Sequence, residues 1–506
     1  MDASAPLDTA LGRLGLIAVA LLAAAAVLAE RPRLRAAAMA GALVLTPILL
    51  IVEIYDTEQF RTLRDRPAFT AAAVGAALVA LVVLAVLMAR RPLLLPLLTV
   101  AALPFRIPIE AAGQTANLLV PLYGVIAAGS LAQMPALFRD RRPGGARDRS
   151  LGMLGAVLLG FVVLYALQAT YADDVTFAAQ QVVFFYVPFA LLFGMLVRLE
   201  WTVRVLKWCL GVVVLLALGF ALIGFVEYAT KTLLFNPKVI ASNAFGSYFR
   251  VNSLFFDPNI YGRFLAEVMV LVAAVVAWTA RRRDIALWAI ALAVLWASLV
   301  LTFSQSSFAA LLAGLAVVAA LRWSLKPVAI ITAVALFLGA IGGAVAVAVR
   351  GDFPSPKEIN RATVGRSKLV TGGLELWTER PLHGFGSGSF QEEYKRERNL
   401  DRPNSVTASH TTPITVAAEQ GLIGLALYAV LVIIALRMLL TSARMSLART
   451  AIAAAFVGLV VHTLFYAAFL EDPTTWVLLA AGMALAAGQS SSAVSSSSSF
   501  TWRKRV

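Results

Sequence analysis

Residues 413–438 read PITVAAEQGLIGLALYAVLVIIALRM, and from Leu422 to Leu436 no charge interrupts them. A helix rises 1.5 Å per residue and needs about 20 predominantly apolar residues to cross ~30 Å of hydrocarbon, so this stretch is long enough to span a bilayer. A barrel strand would instead alternate polar and apolar positions over about 10 residues, and no alternation is present. Thr412 and Pro413 mark where the helix begins, with Thr412 expected as N-cap and proline in the first helical position.

Runs of the same kind recur near 12–30, 36–54, 68–89, 92–105, 116–134, 151–169, 180–198 and 205–228. They continue near 259–280, 284–302, 306–322, 327–349, 449–469 and 473–488. The run at 92–105 is short and ends at Pro104. Over 506 residues, 60% are hydrophobic and 14% charged, and the mean hydropathy is +0.82. That composition excludes a soluble domain and implies an all-α membrane protein, a polytopic helical bundle of about 12–15 transmembrane helices. The first run follows Asp2 and Asp8 and lacks a basic lead-in, so it reads as a retained helix. Cys209 stands alone within an apolar run and reads as a small hydrophobe.

Loops on the cytoplasmic side of a membrane collect Lys and Arg. One alternate set of connections, from Arg31–Arg35 through Arg139–Arg149 and Arg281–Arg283 to Arg503–Arg505, carries 24 of the 43 basic residues and only five acids. It is therefore expected to be cytoplasmic, and the net charge of +15 reflects orientation and anionic headgroups, with no reason to invoke nucleic acid. Two long segments, 229–258 and 350–412, then face outward. The expected organisation is N-terminal membrane helices over 1–90, a core bundle over 91–349 and a large extracytoplasmic loop capped by short helices over 350–412. The last three membrane helices occupy 413–488 and a flexible serine-rich tail 489–506.

Chemistry is sought on the outer face. His410 precedes the 413–438 helix; an imidazole of ordinary pKa ~6.5 there can take a proton from an acceptor hydroxyl, or it is a loop histidine bonded to backbone. Asp257-Pro258-Asn259 has the form of a second helix start. Arg250, seven residues earlier, offers the planar donor fork that grips phosphate, or serves as an interfacial anchor. Arg263 and Glu267 are four apart on one helix face and read as a structural pair. Gly384, Gly386 and Gly388 follow no strand, so a dinucleotide site is rejected in favour of a flexible turn. Asp173-Asp174 reads as solvated acids, His462 as a polar contact within the bundle and His383 as a turn residue. No metal-spaced His or Cys cluster and no nucleophile elbow appear in the sequence.

Four stretches, taken in order, resemble the O-antigen ligase and O-antigen polymerase family of polytopic membrane glycosyltransferases. They are Arg250 to Asn259; Leu301 to Ser307; Gly365-Arg366 through Trp377 to Pro381–Phe390; and His410 through Glu419-Gln420-Gly421 to Leu425. The large loop before the last three helices matches as well, so the likeness runs over roughly residues 90–488. This chain has Ser304-Gln305 where the family often has Ser-Arg, and His410-Thr411 where it often has His-Asn. The resemblance implies transfer of a glycan from undecaprenyl pyrophosphate to a glycan, lipid or protein acceptor hydroxyl, at the outer face of the bacterial cytoplasmic membrane, in cell-surface polysaccharide biosynthesis. It implies no nucleotide sugar, cofactor or metal. It implies His410 as general base, Arg250 and Arg366 on the pyrophosphate, and Glu419 and Arg263 in support. The rivals are a multi-pass solute transporter, with Gln168, Glu227 and Glu267 as its intramembrane polar residues, and a noncatalytic envelope-assembly scaffold.

Overall fold

The computed structural model describes residues 9–55, 60–61, 64–111, 114–139, 151–173, 175–234, 249–323, 366–398, 409–441 and 443–497. Among them, eleven helices are long and apolar enough to cross a membrane. The chain runs through α1 (Ala10–Leu28), α2 (Pro32–Ile54), α3 (Pro67–Arg90) and the short α4 (Leu94–Ala102). A two-stranded antiparallel hairpin, Ile107–Ala111 with Gln114–Leu118, leads into α5 (Val120–Phe138). Then come α6 (Gly152–Ala169), α7 (Val175–Leu196, with a π-helical turn at Val182–Tyr186), α8 (Val203–Thr230), α9 (Pro258–Trp278), α10 (Arg282–Thr302) and α11 (Gln305–Arg322). Two short polar helices, α12 (Arg366–Glu379) and α13 (Phe390–Arg398), form a cap. The bundle closes with α14 (Thr412–Leu440), α15 (Leu447–Thr463) and α16 (Pro473–Ser497). The protein is thus a polytopic helical membrane protein, as its hydropathy requires. The expected segment near 327–349 lies outside the described residues.

Helix direction alternates, which gathers the basic connections at one end. Arg198 donates to the carbonyl of Val27 (2.7 Å), Arg322 to Ala277 (2.8 Å) and Arg444 to Ala320 (3.2 Å). With no hydrophobic drive between helices in lipid, small residues let backbones approach. A Cβ on Gly262 of α9 would stand 2.6 Å from Ser307 Oγ of α11, and one on Gly458 of α15 would stand 2.8 Å from the Ala310 carbonyl. By contrast α3 leaves Leu78, Val79 and Val82 exposed, as suits a helix against hydrocarbon.

The end opposite the basic loops carries the cap. At 29 residues, α14 holds more residues than a crossing of ~30 Å of hydrocarbon needs. Where the polar stretch meets the apolar one, the helix breaks: Gly421 has φ 64° and ψ −162°. The break frees the amides of Leu422 and Ile423 and the carbonyls of Ala418 and Glu419, and the cap turn takes all four. Leu422 N donates to Pro381 O (2.8 Å) and Ile423 N to Leu382 O (3.3 Å), while Phe385 N donates to Ala418 O (3.2 Å) and Gly386 N to Glu419 O (2.8 Å). Gln168 of α6 adds a bond from Nε2 to the Gln420 carbonyl at 3.2 Å.

The glycine-rich turn expected to be flexible is therefore docked. A Cβ on Gly386 would meet Ala172 at 2.7 Å and one on Gly388 would meet Ala178 at 2.9 Å, so these glycines serve close packing. The Glu419 carboxyl oxygens accept from Gly388 N (2.9 Å) and Phe390 N (3.3 Å), which satisfies free amides at the start of α13.

Ion pairs fasten the outer side of the cap. Arg396 bridges Glu393 and Asp173, the latter at 2.7 Å, so one of the acids read as solvated is a tether. Burial above all, and then the neighbouring Asp173 charge, lifts the Glu393 carboxyl to about 7. A raised carboxyl favours the docked cap while protonated, an advantage complete below its unfolded pKa near 4.3 and lost as pH rises through about 7. Amide hydrogen exchange over 366–398 is accordingly expected to be slower at pH 5.5 than at pH 8 after correction for intrinsic rates, and Glu393→Gln should flatten the difference. Equal protection at both pH values in the wild type would contradict the assignment.

Candidate active site

Asp257 caps α9 as expected: it is extended (φ −135°), and its Oδ1 accepts from Asn259 N at 2.6 Å, with Pro258 in the first turn. This fixes Asn259, whose Oδ1 accepts from Arg250 Nη2 at 3.2 Å. Arg250 Nε also donates to Thr302 O (2.9 Å), so the arginine is clamped between the start of α9 and the end of α10. Its segment is held from below by Glu227, whose carboxylate accepts from the amides of Asn252 (3.2 Å) and Ser253 (2.7 Å).

A buried hydroxyl network backs this clamp. Ser307 Oγ donates to Asn259 O (3.3 Å) and lies 2.7 Å from Ser304 Oγ, and Ser306 Oγ lies 3.1 Å from His462 Nε2. The Ser304–Ser307 motif thus ties α9, α11 and α15 together beneath Arg250, while Gln305 between them is exposed at the first position of α11. His462 is the bundle contact it was expected to be.

His410 sits on the rim beside these elements with φ 62°, a left-handed conformation uncommon outside glycine. Its neighbours hold it there. Ser409 Oγ donates to Thr411 O (2.8 Å), and Ser409 N donates to Thr415 Oγ1 (3.2 Å). The N-cap of α14 is Thr411, one residue earlier than expected, because these side-chain bonds bring the chain into the helix sooner. Arg366 opens α12 close by. Burial and the charge of Arg250 lower the pKa of Arg366, and burial and the charge of Arg366 lower that of His410; Asp257 opposes both. The structure therefore brings together Arg250, Arg366 and His410, which are 160 residues apart at the extremes.

Glu419 and Arg263 lie elsewhere. Glu419 anchors the cap, as described. Arg263 does not form its ion pair with Glu267; it pairs with Asp472, and its Nη1 donates to Ala468 O at 3.3 Å. Asp472 also accepts from Thr474 N at 2.7 Å, capping α16. The connection from α15 to α16 is thereby pinned at one end and carries Tyr466, which sequence reasoning noted only as a neighbour of His462. The Tyr466 ring centroid lies 6.3 Å from that of His410 and 5.7 Å from that of His462.

Fold and site together define a multi-pass membrane protein with a cluster of arginines and a histidine beside a cap of short polar helices. Residues 290–429 match the family described as O-Antigen ligase, which bears out the resemblance from within α10 to the first part of α14, a stretch that contains Arg366 and His410. The match supports an O-antigen-ligase-like role in polysaccharide biosynthesis. It is narrower than the roughly 90–488 over which the motifs were read, and Arg250 and Arg263 fall outside it. A comparison with curated proteins finds no match.

Proposed function

We propose that the chain is a glycosyltransferase that moves a glycan from a polyprenyl pyrophosphate, undecaprenyl pyrophosphate being the expected carrier, to an acceptor hydroxyl at the extracytoplasmic face of the bacterial inner membrane. The observation that carries this reading is the convergence of Arg250, Arg366 and His410 beneath the cap, at the end of the bundle opposite the basic loops.

In the proposed step His410 takes the proton of the acceptor hydroxyl as its oxygen bonds to the anomeric carbon. The carbon–oxygen bond to the pyrophosphate breaks, and its electron pair leaves on the phosphate oxygen. Arg250 and Arg366 offset that developing charge, as preorganised cations do. Arg250 is suited to this because its fork is already oriented by Thr302 and Asn259. Because acceptor attack is direct, the anomeric configuration inverts.

A transporter would use a broken helix to open a site at mid-membrane. Here the break at Gly421 is closed by the cap turn, and the polar side chains of Gln168 and Glu227 bond backbone, which favours the transferase. The test is purified protein in nanodiscs with a synthetic lipid-pyrophosphate glycan and an acceptor. Product with inverted linkage is expected, without added nucleotide sugar. A retained configuration would refute the single-displacement step, and no transfer across polysaccharide and lipid acceptors would refute the function.

A further inference from the structure

Four polar side chains at this site have no hydrogen-bond partner among the described residues: the guanidinium groups of Arg106 and Arg366, the imidazole of His410 and the phenol of Tyr466. Arg366 and His410 belong to the motifs already assigned. Arg106 and Tyr466 do not, and both lie outside the matched stretch 290–429.

The two belong to one electrostatic group. Arg106, in the turn between α4 and the hairpin, interacts with Asp472, Arg263 and Tyr466. Tyr466 interacts in turn with Asp257, Arg263 and Arg106, and it is also an electrostatic neighbour of Arg366. Tyr466 thus connects Arg106 to the Arg250–Arg366–His410 cluster, with its ring against His410. A largely buried tyrosine hydroxyl normally finds a partner. Burial raises the pKa of Tyr466, so the phenol keeps its proton and is a donor.

Two of the carboxylates nearby are already engaged. Asp472 is taken by Arg263 and Thr474 N, and Asp257 by Asn259 N. Even with Glu267 counted as ionised, the four arginines 106, 250, 263 and 366 outnumber the three acids 257, 267 and 472. A set of donors with excess positive charge and no protein acceptor calls for an anion. The adjoining crevice adds a second requirement: Leu103, Pro104, Phe255 and Phe264 give it an apolar wall beside Arg106 and Arg263, with Glu267 and Asp472 also in its lining. An anionic amphiphile meets both conditions.

We propose that Arg106 and Tyr466 are anion-binding residues of the transfer site, donating hydrogen bonds to the phosphate-bearing end of the lipid-linked donor alongside Arg250 and Arg366. This rests on the transferase reading above and deepens it. Arg250 spends part of its fork on Thr302 and Asn259, so the oxygens of the donor's two phosphates have room for further donors. Arg106 and Tyr466 supply the remaining donors from the side of the bundle, while the acceptor approaches His410 from under the cap.

The test uses the full chain in nanodiscs and measures binding of undecaprenyl pyrophosphate, the product of transfer, by thermal shift and by competition with donor. Hydrogen bonds to a charged partner are worth enough that Arg106→Gln and Tyr466→Phe should each weaken binding about 10- to 100-fold. They should raise KM for the donor while leaving KM for the acceptor unchanged. Arg106→Lys, which keeps the charge and loses the fork, should fall between, and melting temperatures without lipid check that each variant folds.

If Arg106→Gln and Tyr466→Phe bind like wild type while Arg250→Gln and Arg366→Gln lose binding, the inference is overturned and the transferase reading stands. If wild type itself does not bind the lipid, both fall. Should Arg106→Gln combined with Asp472→Asn recover wild-type binding, Arg106 serves only to balance Asp472, and its share of the proposal is wrong.

Discussion

Replacing His410 with alanine is expected to lower the rate of glycan transfer by about 10²- to 10⁴-fold, the contribution typical of a positioned general base, with the melting temperature close to wild type. The side chain can be removed with little structural damage because the local backbone is held by Ser409, Thr411 and Thr415, not by the imidazole. The pH profile gives a sharper check. Burial and the nearby Arg366 charge both disfavour the imidazolium, so the His410 pKa lies below the ordinary 6.5. A base works deprotonated, so the rate should be at its plateau at pH 7 and should fall as pH drops through that lowered value. Arg366→Gln removes one of the two causes; beyond any loss in rate, it should move the acid limb upward. A His410→Ala enzyme of wild-type rate, or an acid limb indifferent to Arg366, would exclude His410 as the base.

The extent to which this site could be read from the chain follows from the range of each interaction. Helices in a membrane are written in local hydropathy, so the spans emerge from short windows; so does the Asp257 cap, which needs only Pro258 and Asn259 beside it. Arg250, Arg366 and His410 were accessible through motif order. The partner of Arg263 was not: Glu267 is four residues away on the same helix, whereas Asp472 is brought near only when the connection from α15 to α16 folds against α9. Tyr466 was missed for the same reason, since its neighbours His410 and Arg106 lie on distant elements. A usable signal did exist at Asp472-Pro473, which repeats the Asp-Pro helix start of Asp257-Pro258 and marks Asp472 as a fixed group at the same end of the bundle. The break in α14 was hidden because a glycine within a long apolar run is tolerated in a continuous helix. Its trace was excess length, together with the polar pair Glu419-Gln420 just before it.

That break supports the second large effect. Gly421→Ala is expected to destabilise the docked cap by about 3 kcal/mol or more and to abolish most transfer. At φ 64° and ψ −162°, Gly421 occupies a region of backbone space essentially reserved for glycine. An added Cβ would also stand 2.4 Å from the carbonyl carbon and oxygen of Leu382, one of the residues that close the break. Alanine therefore cannot be accommodated by side-chain adjustment. Either the helix straightens, restoring its own ladder and expelling the turn at 381–386, or the turn withdraws and leaves backbone groups of 418, 419, 422 and 423 unpaired. Both routes release α13, whose first amides are bonded to Glu419, and detach the Arg366-bearing α12 that leads into the same turn. The matched control is Gly124→Ala on α5, where an added Cβ meets nothing within 4 Å and α-helical backbone tolerates it. Limited proteolysis should cut Gly421→Ala between 366 and 398 far faster than wild type, with Gly124→Ala unchanged. Wild-type protease resistance and transfer rate in Gly421→Ala would mean that the clasp is incidental and that Arg366 is positioned by other contacts.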